Sequence, residues 1–308
     1  MTIRTRTFLL GLIAILALVG AGCGGDQGGG GGGPEARALL ERAFAKPTDS
    51  GDLSLEGKAD LKGSASLNGE YSIAISGPIQ ARGKTELPLL DWDIAVEGQG
   101  QKLEGALVLA QDNAFVEFQG QSYELGTALY QQIAQSYAQQ QQAAGAPQTL
   151  EDFGVDPASW LEERTVEDGE QIGGDATQLV SGSVDVEKLV RDGVELLENP
   201  AVRSQLESQG QAPEKPTDEE IGQVEEAIKD ITLEANVDDE DNLRRLLIDL
   251  SFEAPEGSDT SDLESGTASI ETTLESVGGE ADIQEPADPA PISELLQRFG
   301  LGGTPALP

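Results

Sequence analysis

The stretch Asp91 to Leu125, DWDIAVEGQGQKLEGALVLAQDNAFVEFQGQSYEL, carries the reading of the fold. In DWDIAVE, Trp92, Ile94 and Val96 fall on one side and acidic residues on the other. Apolar residues at period two, with polar residues between them, mark a half-buried strand. KLEGALVLA and AFVEFQGQSYEL continue the alternation, and Gln111, Asp112 and Asn113 between them form a hairpin signal. The stretch therefore predicts neighbouring antiparallel strands with one apolar and one wet face.

The same period extends outward. LSLEGKADL places Leu53, Leu55, Ala59 and Leu61 on one face, and ASLNGEYSIAI does so with Ala65, Leu67, Tyr71, Ile73 and Ile75. Downstream, ATQLVSGSVDV reads as a strand, ITLEANV and LRRLLIDLSFEA as a hairpin, and GTASIETTLESV as one strand more. Glycines inside these runs, at Gly57, Gly69, Gly98 and Gly105, predict bulges, bends or close approaches, which a strongly curved sheet needs.

Helical spacing alternates with these strands. PEARALLERAFAK starts with proline and spaces Ala38, Leu39, Ala43 and Phe44 for one face. Thr127 to Ala144 puts Leu129, Ile133 and Tyr137 on one stripe, and a short helix is expected to carry Trp160 and Leu161. VEKLVRDGVELLENPAVRSQLES turns Leu189, Val190, Val194 and Leu197 inward. TDEEIGQVEEAI opens with an N-cap threonine or aspartate and acids that suit the helix dipole. The proline-broken tail ends in a small helix. The expected class is α+β, with strands from both sides of residues 127 to 230 in one antiparallel sheet and the helices on its concave face.

Composition removes whole classes of chemistry. The 308 residues include no histidine and one cysteine, which excludes Ser-His-Asp catalysis and disulfides and disfavours the common zinc sites. With 19 basic residues against 56 acidic, a net charge of −37, the surface repels nucleic acid and anionic headgroups. The densest acidic run, NVDDEDN at Asn236 to Asn242, lacks the glycine and distal glutamate of a calcium loop and reads as a solvated hairpin turn. No cofactor or metal is expected.

The single cysteine follows Arg4 and Arg6, an uncharged run and the small residues Gly20, Ala21 and Gly22. These are the parts of a signal peptide, and Phe8 to Val19 would span about 18 Å as a helix, short of a hydrocarbon core of roughly 30 Å. Ala21, Gly22 and Cys23 resemble the bacterial lipobox, although Gly20 stands where leucine is commonest. The resemblance implies cleavage between Gly22 and Cys23 and a diacylglyceryl group on Cys23. The glycine-rich run Gly24 to Gly33 then acts as a tether with a root-mean-square span of about 17 Å.

Taken in order, the lipobox, AFVEFQGQSYEL before a helical insertion, DATQLVSGSVDVEKL at Asp175 to Leu189, and VDDEDNLRRLLIDLSF followed by ADIQEPADPAPISELL resemble the LppX/LprG-type envelope lipoproteins, whose fold is similar to that of LolA and LolB. The resemblance implies a curved antiparallel half-barrel with helices packed on the concave face and an apolar cavity for lipid acyl chains. It implies a lipid or lipoglycan ligand and no catalytic residue. Inward-facing candidates for the lining are Tyr71, Ile73, Trp92, Ile94, Leu107, Phe118 and Leu179; such residues are ordinary core in most sheets.

The expected layout is a signal peptide at 1–22, a lipidated tether at 23–34, one LolA-like domain at 35–299 and a tail at 300–308. The expected function is a non-enzymatic lipoprotein on the extracytoplasmic face of the cell membrane, held by its acyl anchor, that carries or presents lipid. A surface or scaffold lipoprotein binding a protein partner through an exposed apolar patch is the alternative. A carboxylate-only glycosidase would need two acids roughly 5 to 9 Å apart in a cleft. The residues name no envelope transporter as partner.

Overall fold

The computed structural model describes residues 33–46, 48–64, 67–83, 85–142, 155–199, 202–203, 215–255 and 263–300. The expected signal peptide with Gly22, the expected lipidation site Cys23, the expected tether before Gly33 and the expected tail after Gly300 lie outside the described residues.

Twelve described strands follow one another in hydrogen-bonded order β12-β6-β5-β4-β3-β2-β1-β11-β10-β9-β8-β7, and the sheet does not close. They are β1 (Ser50–Gly63), β2 (Gly69–Gln80), β3 (Leu89–Gly98), β4 (Gln101–Leu109), β5 (Ala114–Phe118), β6 (Gln121–Glu124), β7 (Leu161–Asp168), β8 (Thr177–Val184), β9 (Ile228–Asp238), β10 (Leu243–Glu253), β11 (Leu263–Glu275) and β12 (Ala290–Pro291). Five helices accompany them among the described residues: α1 (Pro34–Ala45), α2 (Thr127–Gln142), α3 (Val186–Glu198), α4 (Asp218–Ala227) and α5 (Ile292–Arg298). The class is α+β, as expected. The chain divides into two compact units, one of residues 1–47, 55–72 and 147–275, the other of 48–54, 73–146 and 276–308.

In the first unit, β7 to β11 are antiparallel neighbours and helices cover one of their faces. Val180 stands opposite Ala235, which stands opposite Leu246; Leu233 stands opposite Ile248, and Ile231 opposite Leu250. All seven are buried, together with Leu39, Leu40, Ala43 and Phe44 of α1 and Leu189, Val190 and Val194 of α3. This is a filled core built from the period-two face of the strands and the period-3.6 face of the helices.

The helix ends are satisfied locally. Asp185 caps α3 by accepting from the Lys188 backbone N–H. Thr217 caps α4 in a reciprocal capping box with Glu220, settling the choice left open at TDEE. The expected short helix at Trp160 is a single 3-10 turn, Pro157–Trp160, and Leu161 already begins a strand. That strand, β7 (LEERTVED), has no apolar alternation to announce it. It is a charged edge strand with a bulge between Glu162 and Thr165, which are devices that protect an edge from further pairing.

NVDDEDN is the β9–β10 turn, and its chemistry is internal. Asp238 accepts from the backbone N–H groups of Glu240 and Asn242, from the Asn242 amide and from the Arg244 guanidinium. Arg244, 2 % exposed, also pairs with Asp175 at 3.0 Å and donates to the Ile172 carbonyl. The network ties the β9–β10 turn to the segment between β7 and β8. Burial pushes the Asp238 carboxyl up, but the hydrogen bonds from Asn242 and Glu240, with Arg244, outweigh it and hold the group below the ordinary carboxylate range. Among the described residues no three acidic or thiol groups converge as a metal site.

In the second unit, β3 to β6 form an antiparallel meander. The single expected strand AFVEFQGQSYEL is two strands, because Gln119 and Gly120 both take positive φ, 54° and 75°. Gln99 and Gly100 do the same between β3 and β4. Two consecutive left-handed residues make the tight turn whose twist matches a hairpin. In α2 the buried residue is Tyr130, whose hydroxyl donates to the Ala110 carbonyl at 3.0 Å, while Ile133 is exposed. The expected stripe through Leu129, Ile133 and Tyr137 therefore turns one position round the helix.

Candidate functional site

The register of the second unit sorts every side chain of β3 to β6 onto one of two faces. Residues directly opposite one another in an antiparallel pair share a face. Trp92 stands opposite Leu107, Leu107 opposite Val116, and Val116 opposite Tyr123, giving one row across four strands. The next row is Ile94, Gly105, Phe118 and Gln121, and beyond it Val96 stands opposite Leu103. Behind them lie Leu90, Leu109 and Ala114. No residue of this face carries a charge.

All the charges of these strands lie on the other side. Asp91, Asp93 and Glu97 of β3, Lys102 and Glu104 of β4, Glu117 of β5 and Glu124 of β6 alternate with the apolar set. Burial, and after it the neighbouring Asp93, raises the Asp91 carboxyl. On that side Val108 and Phe115 stand opposite one another and, with Ala110, pack against Ile283.

The uncharged face is unevenly covered. At the β6 end Tyr123 is 1 % exposed, the Arg298 guanidinium lies 5.8 Å from its ring centroid, and Phe299 meets Phe118 edge to face at 5.4 Å. Leu295 of α5 is buried there too. At the β3–β4 end Val96 and Leu103 are 43 % and 54 % exposed, and Trp92, Ile94, Leu107, Val116 and Phe118 between them are half-buried. Gly105 leaves a dip in the middle: a Cβ there would stand 2.6 Å from the Glu117 carbonyl oxygen, so no side chain can fill it. Three polar side chains lie on the face: Gln121, which is exposed and donates its amide to the Ser122 carbonyl at 3.1 Å, and Trp92 and Tyr123, whose indole N–H and hydroxyl are both buried without a hydrogen-bond partner.

Of the seven residues nominated from the sequence, Trp92, Ile94, Leu107 and Phe118 thus come together on one face. Ile73 is 38 % exposed on β2, and Tyr71, two residues before it, donates its hydroxyl to the Leu67 carbonyl at 3.3 Å. Leu179 belongs to the first unit, where it stands opposite Asn236 and so faces away from the Val180 side that carries the helices. Val96, Leu103, Val116 and Tyr123 complete the face. The alternation already contained Val96, Leu103 and Val116, whereas Tyr123 joins the face only through the turn at Gln119 and Gly120 and Phe299 had no local signal.

The first unit also bears a groove of about 380 Å³, rimmed by Asp60, Lys62, Lys229 and Glu253 with the hydroxyls of Ser251 and Ser265. Phe252 and Gly266 also line it, and none of the seven nominated residues does. No described helix is long and apolar enough to cross a membrane.

Comparison with known proteins yields no matching family model and no matching curated protein. Among solved structures, the chain is similar to LprF from Mycobacterium bovis at 13 % identity and a TM-score of 0.41, covering 84 % of this chain and all of that one. It is also similar to the Mycobacterium tuberculosis lipoprotein LppX at 13 % identity and a TM-score of 0.37, covering 82 % of this chain and all of that one. LppX is of the type that the sequence resembles.

Proposed function

We propose that this chain is a cell-envelope lipoprotein, anchored through Cys23, that holds lipid acyl chains against the uncharged face of β3 to β6 and performs no chemistry. The observation that carries the reading is the segregation on those strands: every charge on one side, and on the other a continuous apolar surface left half-open. Exposed apolar area of this kind marks a binding surface. Each methylene that an acyl chain buries there contributes about 0.8 kcal/mol, so a chain of ordinary length can bind without any charged contact. The net charge of −37 disfavours attraction of anionic headgroups and leaves the acyl chain as the part recognised.

The anchor supports the same reading. Two acyl chains on Cys23 suffice for stable membrane attachment, and the glycine run keeps the body within reach of the bilayer. A protein partner that buries Val96 and Leu103 is the second reading, favoured by their exposure.

The test uses the full chain with Cys23→Ser, purified without detergent and measured by native mass spectrometry, followed by solvent extraction. Bound lipid in stoichiometric amount is the expected result. A clean apo mass that persists after incubation with envelope lipids would refute acyl-chain binding and move the weight to the protein partner. Globomycin-sensitive membrane localisation of the unmutated chain checks the anchor separately.

A further inference from the structure

We infer that the ligand of this face bears a hydrogen-bond acceptor, an ester or amide carbonyl, and that Trp92 selects it through its indole N–H. The inference rests on the acyl-binding reading and narrows it to a ligand class. The indole nitrogen is a donor only, and in the structure it is buried without an acceptor. Buried donors are paired in most proteins, so one left unpaired calls for an explanation, and beside an open apolar face a ligand acceptor is one that can be tested.

Its position makes the completing group specific. Trp92 lies one row behind Ile94, on the strand whose Val96 end is exposed, so a chain entering over Val96 and Leu103 meets the half-buried Trp92 after passing Ile94, although the N–H itself is buried in the free protein. The rest of the face offers apolar carbon, except at Gln121 in the next row, whose amide donates to the Ser122 carbonyl, and at the far end of the row that holds Trp92. There the Tyr123 hydroxyl is likewise buried without a partner, three strand spacings or about 14 Å away. That hydroxyl lies on the residue covered by Arg298, while Trp92 is on the open side. A pure hydrocarbon would leave the indole N–H unsatisfied; an acyl ester or amide would satisfy it while its chain covers Ile94, Leu107 and Phe118.

The experiment measures, by isothermal titration of the Cys23→Ser chain, the affinity for methyl laurate and for an alkane of equal length, each delivered from cyclodextrin. The expected result is a preference for the ester of about tenfold, which falls to about unity in Trp92→Phe, where ring bulk is kept and the donor is lost. Tyr123→Phe serves as the second variant and should retain the preference. Equal affinity of the two probes for the unmutated face, or a preference that survives Trp92→Phe, overturns the assignment while leaving acyl binding in place. Loss of the preference in Tyr123→Phe alone moves the donor to the other end of the row and overturns the role of Trp92. Failure of both probes to bind refutes the acyl-binding reading, and the assignment falls with it.

Discussion

Replacing Val96 with Thr and Leu103 with Gln should weaken acyl-chain binding by about thirtyfold and leave the fold intact. Burying a Val or Leu side chain completely contributes about 2 kcal/mol. Val96 is already 57 % and Leu103 46 % covered, the complements of their 43 % and 54 % exposure, so a ligand lying over them gains roughly half of that at each. The two together contribute about 2 kcal/mol to binding, and every 1.4 kcal/mol is tenfold in affinity. In the free protein the same residues are exposed, and surface substitutions away from caps and cores change stability by about 0.5 kcal/mol or less. The two residues stand opposite one another at the β3–β4 end, so they are best changed together. The assay is titration with methyl laurate, with thermal unfolding followed by circular dichroism in parallel. An affinity within twofold of the unmutated chain, with the unfolding temperature unchanged, would show that the ligand does not lie on this face. A large fall in unfolding temperature would show that the residues are core.

Three further outcomes test the physical account. Tyr123→Phe removes a buried hydroxyl that has no partner, so urea unfolding should show stability unchanged or raised; a loss above about 1 kcal/mol would reveal a hydrogen bond. Asp238→Asn strips the charge paired with buried Arg244 and should destabilise the chain by roughly 3 kcal/mol. Because Asp238 is held below the ordinary range, its ionic contribution is complete above about pH 4 and is lost as pH falls through the lowered value, so the difference between the two proteins should be flat near neutrality and shrink in acid. A difference that grows on acidification would contradict the sign. Leu40→Ala, at a fully buried position of α1, should cost about 3 kcal/mol in the same unfolding measurement, and a loss under 1 kcal/mol would mean that α1 does not close the core of the first unit.

The face was legible in outline. Period-two alternation put Trp92, Ile94, Leu107 and Phe118 on apolar positions, and side chains that alternate along a strand must share a side if the strands pair in register. What alternation could not supply was the register itself. The break of AFVEFQGQSYEL into β5 and β6 depends on two left-handed residues, and a Gln-Gly pair signals such a turn only weakly beside Asn-Gly. Without that break Tyr123 has no place opposite Val116. Leu179 shows the opposite failure: an apolar residue in ATQLVSGSVDV looked inward, but Val180 is its neighbour in sequence and so takes the other face, the one that the helices cover.

The residues by themselves determined the chemistry excluded, the class and the polarity of the strands that alternate. The absence of histidine and a lone cysteine after an uncharged run are matters of composition and local order, and amphipathic period is a property of a segment. The tertiary structure alone decided the rest. The strand order brings β1 beside β11 across more than half of the chain, the Asp238–Arg244 network binds a turn to a segment about seventy residues earlier, and Phe299 reaches Phe118 from the far end of the sequence. The same holds for the two unpaired donors at Trp92 and Tyr123, because whether a polar atom has a partner depends on what packs around it. Those contacts join residues distant in sequence, so no local periodicity encodes them; they follow from which apolar faces can be buried together once the whole sheet has formed.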